Sequence, residues 1–154
     1  MGLPGAGKTT LAQHLLELLE RADMKCIWIN ADRVRQEYDD WDFSTEGRIR
    51  QSKRMRELAD KIECDYVICD FVCPLPEMRV NFAADYTVWV DTISEGRYND
   101  TNHIFVKPEI GEYQFRITEQ DAPAMSGLVA RTILHNETKI HRIIHELGDQ
   151  HGPT

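Results

Sequence analysis

The chain has 154 residues, of which 42% are hydrophobic, with a net charge of −8 and an isoelectric point near 5.2. This length suits one hydrophobic core, so we expect a single domain over residues 1–154, and the acidic balance argues against a surface built to hold a nucleic-acid backbone. Because no apolar run approaches the roughly 20 residues of a bilayer span and no signal-peptide pattern opens the sequence, we expect a cytoplasmic protein with no membrane partner.

The first residues match the phosphate-binding pattern G-x-x-x-x-G-K-[ST], as Gly2-Leu3-Pro4-Gly5-Ala6-Gly7-Lys8-Thr9-Thr10. Glycines permit positive φ angles and close approach to an anion, so that successive N–H groups point into one concave nest. Lys8 then reaches the β- and γ-phosphates, Thr9 offers its hydroxyl to Mg²⁺, and the helix that follows adds the positive end of its dipole. The loop therefore predicts a bound nucleotide, and the alternative is a glycine-rich helix cap that binds nothing.

Apolar periodicity predicts alternating helices and strands after this loop. Helices are predicted over residues 8–22, 31–38, 44–63 with Ser44 as the N-cap, 77–83, 121–134 and 137–147, and strands over 25–30, 66–70, 86–91 and 113–118. Residues 92–111 show no clear period and are predicted to form a mobile lid. Helices that alternate with strands indicate a parallel sheet covered by helices on both faces.

A buried strand usually runs into the first glycine of such a loop, whereas only Met1 precedes Gly2 here. We expect this strand, which is missing from the sequence, to belong between strands 66–70 and 86–91. The sheet should therefore show a gap at that place, lined by backbone groups without strand partners.

Three aspartates follow predicted strands, namely Asp32, Asp70 and Asp91. Ligands of parallel α/β sheets gather at the carboxyl ends of the strands, so Asp32 and Asp70 would face the phosphate loop. One carboxylate could accept a proton from a substrate hydroxyl, and another could hold Mg²⁺ through water. A simple helix cap is the alternative for each aspartate.

Arginines form a second set between the first and third predicted strands. Guanidinium groups bind phosphate or sulfate in bidentate fashion, so several of them could converge on the cleft. The members are Arg33, Arg35, Arg48, Arg50, Arg54, Arg56 and Arg79. A charged helix face in water explains Arg54 and Arg56 better. His141 and His145 are likewise explained better as one face of a C-terminal helix than as a metal site, since no third metal ligand is evident.

These motifs resemble, in order, those of the adenylylsulfate kinases, which transfer the γ-phosphate of ATP to the 3′-hydroxyl of adenylyl sulfate. The family's loop G-L-S-G-A-G-K-[ST]-T is similar to residues 2–10, and its D-G-D-N-[IV]-R is similar to Asn30-Ala31-Asp32-Arg33-Val34-Arg35. Its G-F-S and N-I-R-R are echoed in Asp42-Phe43-Ser44 and Arg48-Ile49-Arg50-Gln51. Its S-F-[IV]-S-P and D-R are similar to Asp70-Phe71-Val72-Cys73-Pro74 and Met78-Arg79. The resemblance covers roughly residues 2–92.

The resemblance implies a P-loop kinase fold, with ATP and Mg²⁺ as cofactors and adenylyl sulfate as the small-molecule partner. It implies Lys8 and Asp32 as catalytic residues, with Thr9 and Asp32 at the metal. Nucleotide ligands would be Gly2, Gly5, Ala6, Gly7, Lys8, Thr9 and Thr10, with Arg97 closing over ATP. Phe43 would stack on adenine and Arg50 would hold the phosphosulfate. The other substrate ligands would be Arg35, Phe71, Val72, Cys73, Pro74 and Arg79.

Several departures from the family pattern bear on the assignment. Asn30 replaces the first carboxylate of D-G-D, Cys73 replaces a serine, and the basic lid motif K-G-L-Y-K-K-A-R is absent, with Glu95-Gly96-Arg97-Tyr98-Asn99-Asp100-Thr101-Asn102 in its place. A P-loop kinase for another small molecule or a nucleic-acid end therefore stays open, as does a non-catalytic nucleotide-binding module. A homodimer is retained as an assembly to test.

Overall fold

The computed structural model describes the backbone of residues 1–150 and the side chains of residues 1–137, so the side chains of His141 and His145 lie outside the described residues. Helices and strands alternate through this part of the chain. In order they are α1 (Lys8–Arg21), β1 (Cys26–Asn30), α2 (Ala31–Glu37), α3 (Thr45–Asp60), β2 (Tyr66–Asp70), α4 (Pro76–Phe82), β3 (Val88–Val90), α5 (Asn99–Ile104), β4 (Phe115–Ile117) and α6 (Ala122–Gln150).

The four strands form two parallel pairs, β1 with β2 and β3 with β4. The backbone of Met1 and Gly2 lies between the pairs. The Met1 nitrogen donates to the Val88 carbonyl at 2.7 Å, the Val90 N–H donates to the Met1 carbonyl at 2.8 Å, and the Gly2 N–H donates to the Val72 carbonyl at 3.3 Å. As expected, β2 and β3 are not paired with each other, and the phosphate loop leaves from the space between them.

Side chains that alternate along β1 and β2 belong to two hydrophobic clusters, one on each face of this strand pair. Cys26 belongs to a cluster with Leu15 and Leu19 of α1 and Val129 of α6. Ile29, whose side chain points the other way, packs with α2 and α3 residues in a second cluster. Helices therefore cover both faces of this strand pair, as the alternation of elements predicts.

Two of the predicted helices are one in the structure. Helix α6 runs without interruption from Ala122 to Gln150, through the residues at which the sequence predicts a break. His135 and Asn136 are polar but are neither proline nor glycine, so nothing in the local sequence ends the helix there.

The segment 92–111 contains a short helix, α5, which the periodicity does not predict. Six residues are too few to show a helical period, and its order comes from tertiary contacts instead. Thr101 is buried, and the Asn102 side chain exchanges hydrogen bonds with the backbone of Gly96.

Leu19→Ala tests the cluster between α1 and α6, because Leu19 is only 1% exposed. We expect the free energy of unfolding to fall by about 2–5 kcal/mol, through lost transfer energy and the cavity left behind. Leu128→Ala on α6 is the matched control, since Leu128 is 46% exposed and its truncation should cost about 0.5 kcal/mol or less. Urea titration measures both, and equal losses would contradict the packing described.

Candidate active site

The phosphate loop has the backbone that an anion nest requires. Gly5 and Gly7 have positive φ angles of 86° and 99°. Gly7 caps α1, and no side chain of the described residues bonds to the first N–H groups of the helix. The Thr92 hydroxyl anchors the loop by donating to the Ala6 carbonyl at 2.6 Å. The open N–H groups and the helix dipole together form a site for phosphate.

Gly2 is required by close packing. A Cβ at this position would stand 2.5 Å from the Val90 carbonyl oxygen, well inside van der Waals contact. Any side chain would therefore push the loop away from β3.

Lys8 lies across the loop and donates from Nζ to the Leu3 carbonyl at 3.0 Å. Burial lowers the pKa of Lys8, while the charges of Asp70 and then Asp32 oppose that shift. Both strand-end carboxylates that the sequence singles out are therefore close enough to act on this ammonium group.

Asp70, at the carboxyl end of β2, is 6% exposed and binds two side chains. Its Oδ2 accepts from the Thr9 hydroxyl at 2.9 Å and from the Asn30 amide at 3.0 Å. Asn30 is the register partner of Asp70 in β1, so the strand pairing itself brings these residues to the loop.

Asp32 differs from Asp70 in its surroundings. It lies in the first turn of α2 and is exposed. Within the described part of the chain its carboxylate makes no hydrogen bond or salt bridge. The Asp32 carboxylate is therefore open to a ligand. Asp91, the third strand-end aspartate, instead binds Arg116 of β4 at 2.7 Å.

Phe43 contacts two buried arginines and is itself 46% exposed. The Arg35 guanidinium lies 4.4 Å from the ring centroid and the Arg48 guanidinium 5.4 Å from it. Arg35 also donates to the carbonyls of Asp40 and Asp42, and Arg48 donates to the Phe43 carbonyl at 2.9 Å. These contacts hold the ring in place while about half of the Phe43 surface stays exposed, and we call this arrangement the Phe43 platform.

Arg50 points to carboxylates of its own chain. It bonds Asp40 at 2.7 and 2.9 Å and Asp42 at 3.2 Å, and Arg54 also donates to Asp40. The hydrogen bond from Arg50 is the main reason why the pKa of Asp40 lies well below its usual range. An anionic substrate bound through Arg50 would have to compete with these two carboxylates.

Residues 71–74 leave β2 and turn beneath the phosphate loop. Phe71 packs on Phe82, with 5.1 Å between ring centroids, in the second hydrophobic cluster, so the structure does not bring its ring to the loop. The Val72 carbonyl accepts from Gly2, and Cys73 has a φ of 49°. Burial raises the pKa of the Cys73 thiol to about 11, so it stays protonated.

Arg79 braces this turn against the segment 92–111. It donates to the carbonyls of Cys73 at 3.0 Å, Pro74 at 3.1 Å and Val106, while the Val106 N–H donates to the Pro74 carbonyl at 2.9 Å. One guanidinium nitrogen, Nη1, is buried and has no hydrogen-bond partner among the described residues. Arg79 thus positions two loops and keeps one donor unused.

The segment 92–111 lies against the phosphate loop through Gly96 and Arg97. A Cβ on Gly96 would stand 3.1 Å from the Pro4 carbonyl oxygen, and the Arg97 Nε lies 3.9 Å from the point where a Cβ on Gly5 would stand. The Arg97 side chain therefore lies close to the phosphate loop at Gly5.

Arg48 is the residue whose importance the sequence pattern understates. It is 7% exposed, donates to the Thr101 hydroxyl at 3.0 Å and pairs with Asp100 at 3.6 Å. It therefore joins the Phe43 platform to α5. The preceding Gly47 is a detectable signal, because only a glycine allows α3 to approach Asp42 so closely.

Comparisons with known proteins bear on this arrangement. The profile of the family described as adenylylsulphate kinase matches residues 1–119. The chain belongs to this family. The resemblance inferred from its motifs is thus confirmed. A probable adenylyl-sulfate kinase of Aeropyrum pernix is 35% identical over 81 residues, which is 51% of this chain and 44% of that protein. The match thus spans less than half of that relative.

Solved structures confirm the predicted fold class, an α/β P-loop kinase fold. The APS kinase CysC of Mycobacterium tuberculosis, in complex with AMPPNP and APS, superposes with a TM-score of 0.71 at 17% identity, over 86% of this chain and 94% of that one. A cysteine-to-alanine mutant of the same enzyme gives 0.69 at 20% identity, over 86% and 92%.

Gly47→Ala tests the packing that holds the Phe43 platform. The added methyl group would stand 2.3 Å from the Asp42 carbonyl oxygen, so we expect a loss of about 1–3 kcal/mol in the free energy of unfolding. Gly127→Ala in α6 is the control, because its nearest neighbour is the flexible Arg131 side chain at 3.5 Å and alanine favours a helix by up to about 1 kcal/mol. Urea titration should show opposite signs, and a stabilised Gly47→Ala protein would contradict the close contact.

Proposed function

We propose that this chain is an ATP-dependent kinase that phosphorylates the 3′-hydroxyl of adenylyl sulfate with Mg²⁺ as cofactor, a step of sulfate activation in the cytoplasm. Family membership and the A. pernix relative support the activity. The fold also resembles that of the M. tuberculosis APS kinase CysC, whose structure contains AMPPNP and APS. We treat residues 1–154 as one nucleotide-kinase domain and residues 92–111 as its lid.

One observation carries the proposal, namely that Lys8 and the uncapped start of α1 lie beside two strand-end carboxylates. A nucleotide phosphate would accept hydrogen bonds from the loop N–H groups and the charge of Lys8. Phosphoryl transfer asks the protein mainly for positioning and charge neutralisation, and this constellation supplies both.

The roles follow from exposure and contacts. Asp32, exposed and without a described partner, accepts the proton of the acceptor hydroxyl as it attacks the γ-phosphate. Phe43 offers its exposed ring to the adenine of the acceptor. Arg97 covers the phosphates from the lid. Mg²⁺, held in part by Thr9, would neutralise phosphate charge.

No helix among the described residues has the length and apolar character to cross a membrane. The net charge of −8, which would repel a nucleic-acid backbone, supports a small-molecule acceptor.

Asp32→Asn tests the proposed base. We expect kcat to fall by about 10²- to 10⁴-fold, because the amide cannot accept the hydroxyl proton, while the affinity for ATP changes little. Asp39→Asn is the control, since Asp39 is also exposed and has a φ of 48°, which asparagine tolerates. Steady-state kinetics and nucleotide titration separate the two effects. A near-normal rate for Asp32→Asn would remove this residue from the base role.

The acceptor is tested by ligand stabilisation and by turnover. Adenylyl sulfate should raise the melting temperature in the presence of ADP and Mg²⁺, because a ligand that binds only the native state stabilises it. Turnover should then be compared among adenylyl sulfate, shikimate, gluconate, nucleosides and 5′-hydroxyl oligonucleotides. Faster phosphorylation of any competitor would assign the chain to another P-loop kinase activity. Nucleotide binding with no turnover of any acceptor would favour a non-catalytic module.

A further inference from the structure

The cluster of Thr9, Asn30 and Asp70 carries a more specific conclusion, which rests on the proposed use of a magnesium nucleotide. We propose that Asp70, and not Asp32, is the carboxylate that holds Mg²⁺ with Thr9, and that Asn30 orients it. Asn30 stands at the end of β1, at the place where D-G-D begins, and the acid Asp70 stands at the paired position at the end of β2.

The hydroxyl of Thr9 is oriented for a cation. A hydroxyl group has one proton, and that of Thr9 is donated to Asp70 Oδ2 at 2.9 Å. Its oxygen also accepts from the Asn30 amide at 3.5 Å, which leaves one lone pair available to Mg²⁺. Because Thr9 follows Lys8 at the start of α1, this oxygen belongs to the same helix end that would face the nucleotide phosphates.

Asn30 cannot supply the oxygen ligand itself. Its Oδ1 accepts from the Arg33 N–H at 3.1 Å and caps α2, so its amide nitrogen is turned toward Asp70 at 3.0 Å. The end of β1 thus presents a donor where a cation needs an acceptor. Asn30 instead holds the neighbouring carboxylate in place.

Asp70 has an oxygen to spare. Both of its described hydrogen bonds end on Oδ2, and Oδ1 accepts none from the described part of the chain. The residue is nearly buried, and its charge is the larger of the two carboxylate effects on Lys8. A carboxylate held in place beside the phosphate loop is the ligand type that Mg²⁺ takes directly or through water.

The rest of the described site fits magnesium rather than an all-protein metal cage. No group of three or more His, Cys, Asp or Glu side chains in the described residues is placed to hold a metal ion. Mg²⁺ keeps several waters and combines one or two carboxylates with substrate phosphates. The two carboxylates therefore have different roles. Asp70 binds the cation, and the exposed Asp32 is available to the acceptor hydroxyl.

The experiment measures AMPPNP affinity by calorimetry in excess Mg²⁺ and in EDTA, with no sulfonucleotide present. In Asp70→Asn, the AMPPNP affinity measured in excess Mg²⁺ should fall by about 10- to 100-fold, while the affinity measured in EDTA should not change. The double variant Asn30→Asp/Asp70→Asn should recover most of that loss. It returns the acid to β1, where aspartate still caps α2, and the new amide at position 70 donates to it.

Asp91→Asn is the matched control, as a strand-end aspartate that binds Arg116 instead, and it should keep the wild-type Mg²⁺ effect. Urea titration verifies that each variant folds. A full Mg²⁺ effect in folded Asp70→Asn, or its loss in Asp32→Asn instead, would overturn the proposal, as would a folded double variant without recovery. Because adenylyl sulfate is absent, a failure of the proposed acceptor leaves this result intact.

Discussion

The site depends on the backbone contacts that hold Met1 and Gly2 between the two strand pairs. Met1 donates one hydrogen bond to β3 and accepts another from it, and Gly2 donates to the Val72 carbonyl in the turn after β2. The contact of Gly2 with the Val90 carbonyl leaves no room for a side chain. Since the nest, Lys8 and Thr9 follow within a few residues, these contacts decide where the phosphates would lie relative to the carboxylates of β1 and β2.

Several arginines of this protein position loops through hydrogen bonds to backbone carbonyls. Arg35 and Arg48 are buried against carbonyl groups and the Phe43 ring, and Arg79 joins the turn after β2 to the segment 92–111. A buried guanidinium must find several acceptors, and backbone carbonyls of neighbouring loops provide them. An arginine that a motif assigns to anion binding can therefore act indirectly, by holding the loops that would form the anion site.

Much of the fold was predictable from local patterns. The bounds of α1 and β2 follow from apolar periodicity, and Ser44 caps α3 as expected, accepting from the Gly47 N–H at 3.1 Å. The continuous helix α6 and the short helix α5 were not predictable, because no local residue types mark their bounds. Periodicity reports which residues face a core, and it is silent where tertiary contacts alone order the chain.

For the site, the sequence by itself determined the nucleotide loop and the family, because glycines, lysine and threonine at fixed spacing leave few alternative uses. It also placed Asp32 and Asp70 at strand ends. Only the tertiary structure decided how they differ, since exposure and hydrogen-bond partners depend on the register of β1 with β2. The same holds for Arg50 and Phe71, whose motif positions match the family while their side chains contact carboxylates and core residues of this chain.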